Sequence, residues 1–257
     1  MTIDTSDGKR NRGIYLLPNL FTTAGLFSGF YAIVAAMKGH FDTAAIAIFI
    51  TMIFDGLDGR VARLTNTESL FGANYDSICD MVSFGVAPAL IAYQWMLFGL
   101  GKLGWLAAFI YVASTALRLA RFNAQLESAD KRFFSGLPCP LAAGVLAGFV
   151  WVGSTLPFDV HWMSIATALV TVMMGVLMAS NIPYHSFKEV DFKNRVPFVA
   201  ILVIVLVFVF ISLDPPHVLF CMFLAYALSG PAQWVWDLMK GRKPSLNVFD
   251  HERDHDA

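Results

Sequence analysis

The chain has 257 residues, of which 57% are hydrophobic and only 14% charged, with a formal net charge of -1 and a mean hydropathy of +0.61. This composition excludes an ordinary soluble domain, a disordered chain and a basic nucleic-acid binder, and it points to an integral membrane protein. Cys79, Cys139 and Cys221 are odd in number, widely spaced and set in apolar sequence, so they read as small buried hydrophobes with no disulfide framework.

The first segment, residues 1–13, is polar and carries Lys9, Arg10 and Arg12. The apolar stretch behind it runs past signal-peptide length without a small-residue cleavage pattern, so it is expected to stay as the first span. Taking about 20 apolar residues per crossing, eight stretches qualify in chain order. They are Ile14 to Met37, Phe41 to Leu64, Leu70 to Leu97, Leu103 to Asn123, Leu137 to Phe158, Trp162 to Ile182, Val196 to Leu213 and His217 to Trp236. The expectation is an all-α polytopic protein with one transmembrane catalytic domain, 14–238, followed by a polar tail, 239–257. Six Trp and 23 Phe residues suit membrane interfaces and lipid-facing surfaces.

Basic residues test that layout. Of the 18 Lys and Arg, all but Lys38 and Lys102 fall on the side that holds both termini. An odd number of spans would scramble this sorting, so it supports eight crossings with both ends in the cytoplasm of a bacterial inner membrane.

The second and third spans carry the chemistry. They read D-G-L-D-G-R-V-A-R from Asp55 to Arg63, then eight residues, then G-A-N-Y-D-S-I-C-D from Gly72 to Asp80. Ionisable groups at membrane depth are expensive, so Asp55, Asp58, Asp76 and Asp80 mark a functional site. At 100° per residue, Asp55, Asp58, Gly59 and Ala62 share one stripe of the second helix, while Gly72, Asp76 and Asp80 follow one another at i, i+4 on the third. Two antiparallel neighbours can then face four carboxylates across one seam near the cytoplasmic surface. All-oxygen ligands without His or Cys favour Mg²⁺, Mn²⁺ or Ca²⁺ over zinc. A pair of such ions bridged by carboxylates is the usual apparatus of phosphoryl chemistry. Gly56, Gly59 and Gly72 either allow close helix packing or leave room for a ligand.

The pattern D-x-x-D-G-x-x-A-R, eight residues, G-x-x-x-D-x-x-x-D resembles the signature of the CDP-alcohol phosphotransferase family. Every fixed position is present, as Asp55, Asp58, Gly59, Ala62, Arg63, Gly72, Asp76 and Asp80. Pro18, Asn19 and Thr22 resemble the family's P-N-x-x-T motif at the start of the first span. The resemblance implies a six-helix catalytic core, here extended by two C-terminal helices, that moves a phosphatidyl-type group from a CDP-linked lipid to an alcohol with release of CMP. It implies Asp55, Asp58 and Asp76 as ligands of an Mg²⁺ or Mn²⁺ pair, with Asp80 beside them as general base. It further implies Asn19, Thr22, Gly59 and Gly72 around the cytidine nucleotide, with Ala62 and Arg63 completing the CDP-lipid site, and a homodimer.

Arg118 to Asn123, R-L-A-R-F-N, and Phe133 to Pro140, F-F-S-G-L-P-C-P, resemble the branch of the family whose acceptor is L-serine and whose donor is CDP-diacylglycerol. Arg118 and Arg121, at i, i+3 on one helix face, are expected to bind the carboxylate of serine with Asn123 beside them. Glycerol 3-phosphate or inositol is the alternative acceptor. Lys131 and Arg132 are expected in a loop ending at Ser135 and Gly136 that could close over the acceptor. His185 with Asn181, Tyr184 and Lys188 forms an interfacial polar cluster, and His251 and His255 belong to a solvated tail. A cation-coupled transporter is the alternative from another class, but it should show charge at the bilayer midplane between repeated halves, and no internal repeat is visible.

Overall fold

The computed structural model describes residues 16–65, 67, 69–126, 134–157, 159–184 and 198–240. The N-terminal segment 1–13, residues 241–257 of the tail with His251 and His255, the loop cations Lys131 and Arg132, and His185 with Lys188 lie outside these residues.

Among the described residues the chain is a bundle of helices in the expected order. They are α1 (Leu16–Met37), α2 (Phe41–Thr65), α3 (Leu70–Asp80), α4 (Ala87–Trp95), α5 (Lys102–Leu126), α6 (Cys139–Thr155), α7 (Val160–Ala179), α8 (Phe198–Leu213) and α9 (Pro215–Met239). α3 and α4 make one rod, because the segment between them, Met81–Val86, is a π-helical turn that carries the axis onward. Five rods are long and apolar enough to cross a membrane: α1, α3 with α4, α5, α7 and α9. α2 has matching length but bears the acidic and basic residues of the motif, and α6 and α8 are apolar but shorter. The protein is thus an all-α, multi-pass membrane protein.

Small residues set the packing. Without a hydrophobic force between helices in lipid, close approach of backbones has to supply the contact energy. Ala32, Ala35 and Ala36 of α1 are buried with Ala44, Ala45, Ala47 and Ile48 of α2, so these two rods lie tightly side by side. α6 is the central column: Ala142, Ala143, Val145, Leu146, Ala147 and Val150 are all fully buried. Phe220 and Phe223 of α9 press on Gly148 and Gly144 of that column. α8 rests against α9 and exposes Val205, Leu206, Phe208 and Phe210, as a lipid-facing helix should.

Two local features depart from the expectation of uninterrupted helices and open loops. One is the π-turn. The other is a two-residue antiparallel pairing of β1 (Phe134–Ser135) with β2 (Pro183–Tyr184), in register Phe134 with Tyr184. Gly136 follows at φ +85° and donates its N–H to Ile182 O at 3.0 Å. The end of the loop expected to move is therefore tied to the chain behind α7. Asp214 caps α9 outside the spans, and its bond from His217 holds the carboxyl below the usual range.

Candidate active site

α2 ends and α3 begins at the same edge of the bundle, so their motif residues meet over a short turn. Ser69 starts α3 as an N-cap, its Oγ accepting from Gly72 N at 3.0 Å. From that start, Asp76 and Asp80 stand on successive turns facing α2. Asp55, Asp76 and Asp80 each place one carboxylate oxygen so that the three atoms lie within 4.8 Å of one another. Asp76 Oδ1 is buried and has no hydrogen-bond partner among the described residues.

Asp58 lines the same cleft but belongs to a different contact. Thr22 Oγ1 of α1 donates to Asp58 Oδ2 at 2.7 Å and also lies 3.2 Å from Pro18 O. Three residues along an α-helix turn the side chain through 300°, about 60° short of a full circle. That offset aims Asp58 at α1 while Asp55 faces α3. The helix stripe is real, but it is wide enough to serve two neighbours.

The group fits a hard divalent cation. Three carboxylate oxygens this close repel one another strongly in a medium of low dielectric. Among the described residues no Lys or Arg forms a salt bridge with them. An orphaned buried oxygen on Asp76 is the atom such an ion would satisfy.

The motif glycines differ in their surroundings. A Cβ on Gly56 or Gly59 would meet nothing within 4 Å, so these two face open space and make no close helix contact. A Cβ on Gly72 would come 3.2 Å from Ser69 Oγ and 3.6 Å from Asn19 Oδ1, which puts Asn19 at the start of α3. Arg63 folds its Nε back on Gly59 O at 2.9 Å and is exposed, with Ala62 half-buried beside it.

The three residues expected at the acceptor part company. Arg118 is buried, 9% exposed. Its Nη1 donates to Cys139 Sγ at 3.2 Å, its Nε has no partner among the described residues, and the guanidinium lies within electrostatic reach of Asp80. Arg121 turns the other way and donates to Asn181 Oδ1 at 2.8 Å and to Ala179 O at 3.5 Å, so it ties α5 to the end of α7. Asn123 accepts from Ser77 Oγ at 3.0 Å and so braces the turn of α3 that carries Asp76. The two arginines share a helix face at Cα, yet their long side chains diverge.

Other residues at the site carry no signal in the motif. The cleft is lined as well by Gly25, Leu26, Thr51, Cys79 and Ser83. Tyr75 OH lies 2.9 Å from Thr23 Oγ1, a second link between α3 and α1. A hydroxyl three residues after the last aspartate, D-x-x-S, was the available hint for Ser83.

The chain is similar to known proteins over most of its length. Residues 15–232 match the family model described as CDP-alcohol phosphatidyltransferase. The chain is 37% identical over 227 residues to a Helicobacter pylori protein named CDP-diacylglycerol–serine O-phosphatidyltransferase, covering 88% of this chain and 94% of that one. A protein of the same name from Methanocaldococcus jannaschii is 34% identical over 188 residues, 73% of this chain and 82% of the relative. The archaetidylserine synthase of Methanothermobacter thermautotrophicus is 33% identical over 178 residues, 68% and 72% of the two chains.

Proposed function

We propose that this chain, which belongs to the CDP-alcohol phosphatidyltransferase family, transfers the phosphatidyl group of CDP-diacylglycerol to L-serine, giving phosphatidylserine and CMP. The observation that carries this reading is the triangle of Asp55, Asp76 and Asp80 oxygens, all within 4.8 Å, on a multi-pass membrane scaffold. Relatives whose names specify serine transfer support the choice of acceptor.

Asp55 and Asp76, with Asp58 as the nearby third carboxylate, would hold Mg²⁺ or Mn²⁺, which when bound neutralises charge on the phosphoryl oxygens of the donor. We assign Asn19, Thr22, Gly59, Ala62, Arg63 and Gly72 to the CDP portion; Thr22 lines the cleft, Asn19 Oδ1 lies near Gly72, and Gly59 faces open space. Asp80 takes the proton of the serine hydroxyl. The freed oxygen attacks the phosphorus that bears diacylglycerol, and the bond to CMP breaks with its electron pair leaving on CMP. Arg118, a buried guanidinium whose described hydrogen bond runs to a thiol, is the natural partner for the serine carboxylate. Arg121 and Asn123 fix α5 against α7 and α3. The basic residues gathered on one side support a cytoplasmic site in a bacterial inner membrane, where soluble serine arrives and acyl chains come from the bilayer. A homodimer is expected from the family resemblance.

The test is CMP release from CDP-diacylglycerol by detergent-purified protein supplied with serine, inositol or glycerol 3-phosphate. Serine-dependent release that requires Mg²⁺ or Mn²⁺ is expected. Release driven by inositol or glycerol 3-phosphate and not by serine would overturn the acceptor.

A further inference from the structure

Hydroxyl side chains inside these helices mostly bond to their own backbone. Thr51, Ser77, Thr115, Thr167 and Thr171 each donate to the carbonyl four residues back, at distances from 2.7 to 3.0 Å. Ser83 does not. It is 1% exposed, and its Oγ has no hydrogen-bond partner among the described residues. A buried hydroxyl left in that state is costly.

Ser83 lies in the π-turn. Within Met81–Val86 the ladder lengthens, and Ala87 N–H reaches Val82 O, five residues back. The turn is held in place from α5, where Tyr111 OH donates to Phe84 O at 3.0 Å. On the opposite side α1 passes so close at Gly29 that a Cβ there would stand 2.6 Å from Ser83 Oγ and 2.9 Å from its Cα. The hydroxyl is thus fenced by α1 and lines the cleft shared with Asp55, Asp76 and Asp80, three positions beyond Asp80.

We propose that Ser83 is a substrate-contacting residue whose hydroxyl donates a hydrogen bond to the acceptor's hydroxyl oxygen, leaving that hydroxyl's own proton directed at Asp80. This rests on the transferase reading above and extends its acceptor site. An alcohol oxygen can accept one bond while donating another, so both contacts are compatible. As the proton passes to Asp80 and the new bond to phosphorus forms, the Ser83 donor meets the charge growing on the attacking oxygen.

The experiment compares wild type, Ser83→Ala and Ser83→Cys in CMP release, with Mn²⁺ affinity measured by calorimetry on the same preparations. Cys has the same shape as Ser with a somewhat larger terminal atom, and it is a weak donor. Both variants are expected to lose about ten- to a hundredfold in kcat/KM for serine, with the KM for CDP-diacylglycerol and the Mn²⁺ affinity unchanged. Recovery by Cys of wild-type activity would show that Ser83 only fills space and would overturn the proposal. So would wild-type activity in both variants, or a parallel loss of Mn²⁺ affinity. Failure of the underlying reading looks different: wild type itself would then release no CMP in response to serine.

Discussion

Thr22 of the first helix and Asp58 of the second are joined by a 2.7 Å hydrogen bond, the shortest link described between the P-N-x-x-T segment and the aspartate motif. Through it the two motifs, 36 residues apart, form one wall of the cleft. Thr22→Val removes the donor and keeps the shape. Loss of one such bond to a charged group corresponds to roughly 1.5–3 kcal/mol, so the KM for CDP-diacylglycerol is expected to rise roughly ten- to a hundredfold with the KM for serine unchanged. Steady-state kinetics with each substrate varied in turn checks this; an unmoved lipid KM would remove Thr22 from the nucleotide wall.

Asp76 and Asp80 sit one helical turn apart but are given different work. Asp76→Asn is expected to weaken Mn²⁺ binding, since its buried oxygen has no other described partner. Asp80→Asn should keep more of that affinity and still lose about a hundredfold or more in kcat at saturating metal. Calorimetry and turnover on both variants decide the matter, and near-normal turnover of Asp80→Asn refutes its role as base.

Arg118 and Arg121 separate in the same way. Replacing buried Arg118 by Lys removes the planar fork and should raise the serine KM by about tenfold or more. Arg121→Ala breaks the link to Asn181 and should lower thermal stability in detergent while leaving the serine KM in place. An unchanged serine KM in the Arg118 variant would cancel the acceptor assignment.

The contrast shows how far the amino-acid order could be read. Span positions followed from hydropathy, and the facing aspartates followed from motif spacing and helix period, because both depend on local geometry alone. Side-chain direction did not. Arg118 and Arg121 occupy one face at Cα, but long flexible stems let the first enter the core and the second reach α7. Asp58 shares a stripe with Asp55, yet the angular offset between them sends it to Thr22. The π-turn had no local signature, since it depends on Tyr111 from α5 and the close pass of Gly29 from α1. Nor did the pairing of Phe134–Ser135 with Pro183–Tyr184, which is too short for an alternating pattern.

Gly136 joins that pairing to α6 at φ +85°, and a Cβ there would collide with Met178 O. Gly136→Ala is therefore expected to cost at least about 1–2 kcal/mol. The readout is the midpoint of thermal unfolding in detergent. An unshifted midpoint would mean that the β1–β2 junction is not fixed as described.

Chelation bears on the cluster as a whole. Treatment with EDTA should abolish CMP release, and Mg²⁺ or Mn²⁺ should restore it while Zn²⁺ does not, since the donors are all carboxylate oxygens. Full activity after exhaustive chelation would contradict the reading.

The central claim is that Asp55 and Asp76, with Asp58 nearby, hold a divalent ion that meets the diphosphate of the donor, while Asp80 beside them serves as base. Electron paramagnetic resonance of Mn²⁺ in the purified protein tests it most directly, by the appearance of phosphorus hyperfine coupling when CDP-diacylglycerol is added. The account predicts that coupling in wild type and its loss in Asp55→Asn and Asp76→Asn. A Mn²⁺ spectrum indifferent to the lipid, or to both substitutions, would contradict it.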